Sequence, residues 1–419
     1  MIKEKNSGLA LGVFICTLAA LFYCYEYLLR IIPGVMEAEL RVAFGNISAT
    51  GFGTLSAYYY FAYTPMQLPA GMLMDRIGPK RLLIAACFLC ALGSWLFTFT
   101  DSLTIASIGR FLVGMGSGVA FVGVLALAVV WLPERYFSLV AGLVTMLGMF
   151  GAIGGQIGMS YVAESIGWQK VLSMAPIIGI VLCALMFFFL REHPTHLKQR
   201  GNSQTIPIAQ FINELKLVLM GGQIWLLGLI GSLMYLSLSV FAEIWGKSYL
   251  MMAHGLTNSQ ASSSVSMVFL GWAIGGPLLG FIADFTQRRL AILSMGSLLA
   301  VICISMILYM PDLSLLNIDV LLFLYGLFCS AEVIVFAIAK DASSTNLSGT
   351  VFACVNMIIM LGGVICQPLV GKLLDFFWNG ALYNHVRIYS QADYQLVLSF
   401  LPLCLLGVSI AVFFVREKN

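Results

Sequence analysis

Apolar residues along this chain come in long blocks, not in alternation and not in single stripes. The blocks recur at 9–30, 52–73, 82–100, 104–131, 137–160, 169–190, 223–246, 260–283, 290–310, 318–339, 348–371 and 395–415. Each is near the roughly 20 residues that a helix needs to cross a bilayer at about 1.5 Å per residue. Lipid offers no partners to backbone N–H and C=O groups, so a continuous apolar block inside it must be helical. Barrel strands would instead show segments of about ten residues with alternating polarity. The pattern therefore predicts an all-α integral membrane protein with twelve transmembrane helices. The first block follows Lys3 and Lys5, is longer than a signal-peptide core and meets no small-residue cleavage site; it reads as a permanent span.

Composition agrees with a lipid-solvated chain. Of 419 residues 60% are hydrophobic and only 10% charged, with a mean hydropathy of +0.96. A soluble domain carries about a quarter charged residues. Fifteen of the 22 Lys and Arg fall in loops on one side of the predicted spans, which places that side, and both termini, in the cytoplasm, with the inner membrane as the location. The net charge of +3 is small and its basic residues are scattered, so no nucleic-acid partner is expected. The ten cysteines all lie in apolar blocks, without metal-ligand spacing, and neither metal nor cofactor is implied. His193, His196, His254 and His385 are dispersed in predicted loops. With no phosphate-binding loop and no nucleophile–base arrangement, an enzyme is not expected.

A polar break over 191–222 divides the chain into residues 1–190, this linker and residues 223–419. Within the break Phe211, Ile212, Leu215, Val218 and Leu219 share one helical face, the pattern of an interfacial or linker helix.

The halves also share a motif. Gly71, Asp75, Arg76, Gly78, Lys80 and Arg81 stand between spans two and three; Gly280, Asp284, Arg288 and Arg289 stand between spans eight and nine. Gly71, Asp75 and Lys80 map onto Gly280, Asp284 and Arg289 at a constant offset of 209 residues, which implies two related six-helix units. The first copy resembles the signature loop of the major facilitator superfamily, Gly-x-Leu-x-Asp-Arg-x-Gly-x-Arg-Arg, with Lys80 in place of an arginine. The resemblance implies two pseudo-symmetric six-helix bundles, a monomeric transporter in the bilayer, and a solute cavity lined by spans one, four, seven and ten. It also casts Gly71, Asp75, Arg76, Arg81, Gly280, Asp284 and Arg289 as gating residues, with Arg135 and Lys340 as partners for the two aspartates. Glycines would let helices approach closely, and the aspartates would hold a cytoplasmic ion cluster. Arg110 with Gly114, Gly116 and Gly118 resembles a second family motif. Gly148, Gly151, Gly154 and Gly155 match the antiporter motif of drug exporters only in part, since no proline accompanies them.

Ionisable residues inside spans are costly and point to function. Glu26 and Arg30 are four apart and could neutralise each other in the outer third of span one. Arg110 could hold a carboxylate or phosphate or pair with Glu26. Glu243 with Lys247 repeats the four-residue spacing, as a gate pair. Glu332 has no basic residue before Lys340 and could carry a coupling proton, bind an ammonium group or simply hydrogen-bond within the bundle. Tyr59, Tyr63, Tyr235, Asn356 and Gln367 form a softer cavity set. The expected function is secondary or facilitative transport of a small polar solute (amino-acid-like, peptide or organic anion) by alternating access, with protons as possible co-substrate. An exporter of a drug or siderophore is the alternative, and a non-transporting sensor with this fold a third.

Overall fold

A computed structural model describes residues 2–133, 136–191, 208–342, 348–383 and 386–416; within these, the side chains of residues 2–8, 75, 137, 138, 208, 348 and 383 are not described. Arg135 and the side chain of Asp75 therefore lie outside the described part, as does any pairing between them.

Among the described residues, twelve long helices carry the fold. They are α1 (Leu9–Val35), α3 (Pro79–Thr98), α4 (Leu103–Trp131), α5 (Leu139–Ile166), α6 (Trp168–Phe189), α7 (Gly222–His254), α8 (Asn258–Thr286), α9 (Arg289–Tyr309), α10 (Leu315–Ala342), α11 (Gly349–Phe377) and α12 (Gln391–Phe414), together with α2 (Ala49–Ile77). Eleven of these are long and apolar enough to cross a membrane. The exception, α2, carries Tyr58, Tyr59, Tyr60, Tyr63 and Gln67, residues that lower its hydropathy because they serve the protein interior. Short connections make neighbouring helices antiparallel, so the chain termini share one end of the bundle, here called the terminal end; the other is the distal end.

The same four helix pairings recur in each half: α1 with α5, α2 with α4, α3 with α4 and α3 with α6 in the first, and α7 with α11, α8 with α10, α9 with α10 and α9 with α12 in the second. Even single contacts repeat. A Cβ on Gly114 would meet the Tyr59 carbonyl at 2.0 Å, and one on Gly326 the Val268 carbonyl at 2.1 Å, with Val268 standing 209 residues after Tyr59. Lipid tails supply little hydrophobic drive between helices, so such backbone-to-backbone packing at glycine is what holds each bundle. The halves meet along α2 with α11, α5 with α8 and α1 with α7.

The first copy of the duplicated loop is a one-residue turn, and the second has two residues, Gln287 and Arg288, between its helices. Gly78 has φ +89 and is followed by Pro79 at the first position of α3. Its counterpart 209 residues on is Gln287, at φ +55, a left-handed conformation that a side chain disfavours. The linker contains a helix, Ile208–Leu219, that packs against α11. Val218 is buried and Phe211, Leu215 and Leu219 are half-buried, while Ile212 turns outward. At the distal end a short helix, Glu37–Ala43, follows α1, and a two-stranded hairpin, β1 (Leu382–Tyr383) with β2 (Val386–Arg387), links α11 to α12.

Candidate functional site

Among the described residues, three departures from α-helical geometry inside the spans each hold a buried polar side chain. The π-helical stretch Gly154–Met159 in α5 holds Gln156, the π-helical stretch Ser237–Trp245 in α7 holds Glu243, and the 3-10 turn Ser330–Val333 in α10 holds Glu332. Such irregular turns cluster at functional sites, because they redirect side chains away from the regular helical rows.

Side chains of α1, α2 and α7 enclose Arg30 of α1. Its Nε donates to the Tyr59 hydroxyl at 3.0 Å, its Nη1 to the Tyr235 hydroxyl at 2.7 Å, and its Nη2 to both Glu26 carboxylate oxygens at 3.3 and 3.4 Å. The Glu243 carboxylate lies 4.0 Å from Nη1. Four tyrosine rings face the guanidinium: Tyr27 at 4.3 Å, Tyr59 and Tyr63 at 5.0 Å and Tyr60 at 5.9 Å from centroid to Cζ. Ring faces attract a cation most strongly where water is excluded. Tyr59 donates to Glu26 at 3.0 Å, and Tyr60 donates to Glu243 at 2.8 Å, across the interface between halves. Arg110 of α4 closes the floor, donating to the Leu29 carbonyl at 2.7 Å and the Arg30 carbonyl at 3.3 Å.

This cluster balances two guanidinium groups against two carboxylates, yet its hydrogen bonding is incomplete. Glu243 Oε1 and Arg110 Nε are buried with no hydrogen-bond partner. Leaving such atoms unsatisfied is costly, and a polar ligand that reached either of them would relieve that cost. What the arrangement offers chemically is a charge-assisted grip on a carboxylate or similar anion.

Glu26 and Arg30 pair at 3.3 Å, as their spacing allows, and both side chains are buried, at 0% and 1% exposure. Several expectations need correction. Arg110 does not pair with Glu26; Arg30 and Tyr59 take that carboxylate. Glu243 and Lys247 do not pair either. The π-helical winding up to Trp245 removes the regular four-residue relation, so Glu243 turns to Tyr60 and Lys247 donates to the Val35 carbonyl at 2.5 Å. Glu332 stands apart, buried with a carboxylate oxygen 3.4 Å from where a Cβ on Gly231 would lie. Asn356 is half-buried on α11, and Gln367 donates to the Ser239 carbonyl at 2.6 Å; no described contact joins either to Arg30.

The gating set at the terminal end also differs from expectation. Gly71 and Gly280 have nothing within 4 Å of a built Cβ, so they are not close-approach points here, whereas Gly271 and Gly275 of α8 pack tightly against α10. Asp284 receives Arg289 of its own loop at 2.9 Å, and Arg289 also binds Asp341. The two aspartates are exposed and Arg289 is half-buried, and pairs at such a surface contribute little.

A second polar network, at the distal end, was not evident from sequence. Asp375 of α11 accepts the Thr50 amide at 2.8 Å and the Thr50 hydroxyl at 2.5 Å. It thereby caps the N-terminus of α2 from the opposite half, where an anion is favoured. The Tyr389 hydroxyl donates to Asp375 at 2.6 Å and accepts the Ala49 amide at 3.1 Å. Burial and the bond to Asp375 push the Tyr389 phenol up from its ordinary range, keeping it protonated as a donor. Arg387 reaches Asp375 at 3.0 Å, Arg41 reaches the Arg387 carbonyl at 3.1 Å, and Ser248 of α7 donates to Glu37.

Comparisons with known proteins fit this architecture. Residues 9–383 match the Major Facilitator Superfamily. The chain is 23% identical over 393 residues to a probable galactarate/D-glucarate transporter of Escherichia coli (strain K12), covering 85% of this chain and 86% of that one. It is 23% identical to a hexuronate transporter of Bacillus subtilis (strain 168), covering 79% and 80%. In fold it is similar to a bacterial homolog of the human lysosomal transporter Spinster, solved in an inward-facing, unoccupied conformation, with a TM-score of 0.75, 16% identity and coverage of 97% and 95%. With the duplicated loop, the twelve helices and these matches together, the chain belongs to the major facilitator superfamily and is a membrane transporter, not an enzyme.

Proposed function

We propose that this transporter moves a small organic anion, or a zwitterion bound through its carboxylate, and that Arg30 and Arg110 hold the anionic group. The observation that carries the reading is the buried Arg110 Nε left without an acceptor beside a guanidinium caged by tyrosines. Relatives named for sugar acids and for sulfoacetate point the same way. Both arginines sit in a dry interior, where a charge-assisted, two-pronged contact to a carboxylate is strong and geometrically selective. The halves, taken as residues 1–190 and 223–419, would rock about this point, exposing it alternately to either side. Glu332 is the proposed proton carrier, as a buried carboxylate with no basic side chain in described contact.

Reconstituted proteoliposomes test this. Counterflow of labelled glucarate, glucuronate, sulfoacetate, amino acids and dipeptides should show saturable exchange for one of the anionic or zwitterionic compounds. Arg110→Lys should lower that exchange about tenfold or more, since an ammonium cannot reproduce the fork. Glu332→Gln should preserve exchange but abolish its response to an imposed pH gradient. Exchange undiminished in the Arg110→Lys variant, or none with any of these solutes, would sink the reading.

A further inference from the structure

A groove of about 650 Å³ opens on the outer surface between the first turns of α3 and the last turns of α6. Lys80 and Arg81 stand at its mouth, and Ile84, Phe88, Cys183 and Phe187 line its length, with no acidic residue among its walls. The Cys183 thiol meets the Ile84 carbonyl at 3.7 Å and closes the floor. Phe88 and Phe187 are 55% and 60% exposed, so the walls face the surroundings of the bundle and not its interior. From Lys80 to Phe88 the groove follows α3 for about 12 Å at 1.5 Å per residue, enough for the upper part of an acyl chain. Gly78, preceding α3, offers no side-chain cap, so the first-turn amides add partial positive charge beside the two basic residues.

The second half supplies an internal control. At the positions 209 residues on, Arg289 replaces Lys80 and is already engaged by Asp284 and Asp341. Leu290 stands where Arg81 would be, and Ser297, in place of Phe88, bonds Ser409 of α12 at 2.7 Å. There the seam is filled by the protein's own side chains and its positive charge is spent internally. The first half keeps Lys80 and Arg81 beside an open apolar channel.

We infer that the α3–α6 groove is a binding site for an anionic phospholipid, its phosphate against Lys80 and Arg81 and an acyl chain along Ile84, Phe88 and Phe187. Charge complementarity favours this occupant over a zwitterionic lipid, by about fivefold for each basic residue near the headgroup. Arg81 also contacts other groups of the protein, so Lys80 is the cleaner probe. Native mass spectrometry of the full-length protein, released from nanodiscs of equimolar phosphatidylglycerol and phosphatidylcholine, gives the test. Wild type should retain phosphatidylglycerol preferentially; Lys80→Ala should lower that retention about fivefold, Lys80→Arg should preserve it, and Arg288→Ala in the second half should leave it unchanged. Equal retention of both lipids by wild type, which requires no variant to fold, would overturn the site, as would unchanged retention in Lys80→Ala or an equal loss in Arg288→Ala. Displacement of the lipid by millimolar glycerol phosphate would show a soluble-phosphate site instead, and would equally overturn it.

Discussion

The two ends of the helix bundle use the same residue type, glycine, in opposite ways. At the distal end glycines let the halves touch backbone to backbone. A Cβ on Gly34 would stand 1.8 Å from the Glu243 carbonyl, one on Gly371 would stand 2.2 Å from that of Ala49, and one on Gly53 would stand 2.4 Å from that of Gln367. At the terminal end Gly71 and Gly280, the motif glycines, have open space around them. The polar contacts described between the halves show the same bias, running from Arg30–Tyr235 in the middle to Thr50–Asp375 and Lys247–Val35 at the distal end. The difference teaches that the structure captures a state shut at the distal end.

The largest effect should come from adding a methyl group on the closed side. Gly34→Ala forces α1 away from α7, and overpacking of this kind costs about 1–3 kcal/mol, here charged against the distally closed state. Double electron–electron resonance between spin labels on the Glu37–Ala43 helix and the β1–β2 hairpin should report a shift to longer distances. Gly71→Ala, with nothing near its Cβ, should leave those distances unchanged. If both variants behave alike, the contrast between the ends is lost.

A smaller shift is expected from Asp375→Ala. It removes the cap on α2 and the acceptor of Tyr389 and Arg387, and loss of a cap alone costs about 1 kcal/mol. Distal labels should again separate, and cysteines placed at the distal mouth should react faster with a membrane-impermeant maleimide. Unchanged reactivity would show the network to be incidental. The smallest effect belongs to Arg289→Ala at the terminal end, where the exposed pairs with Asp284 and Asp341 contribute roughly 0–1 kcal/mol. Thermal melting in detergent should barely move. A drop comparable to that of Asp375→Ala would mean that the terminal-end cluster matters even while that end is not the sealed one.

Much of the fold was legible because lipid imposes a simple rule: apolar length means a helix. Eleven spans follow it, and α2 was still recoverable as a block although its tyrosines lower its hydropathy. The candidate site was legible as a set of buried charges, since Glu26, Arg30, Arg110 and Glu243 stand out against apolar neighbours. The four-residue spacing of Glu26 and Arg30 also gave their pairing, but the other partnerships were not legible. The four-residue spacing of Glu243 and Lys247 suggested a pair, and a π-helical turn invisible in the residue pattern separates them. Tyr60 was one of three adjacent tyrosines with no sign of which would reach across to Glu243.

The amino-acid sequence alone determined the membrane solvent, the helix count, the duplication at 209 residues and the family, because each follows from composition or from short-range order. Only the tertiary structure decided which charges meet, that Arg30 joins both halves, that Asp375 caps a helix of the other half, and which end is shut. Those depend on how helices distant in the chain are rotated and how closely they approach. That is set by packing at glycine and by local changes in helical pitch, neither of which leaves a periodic trace.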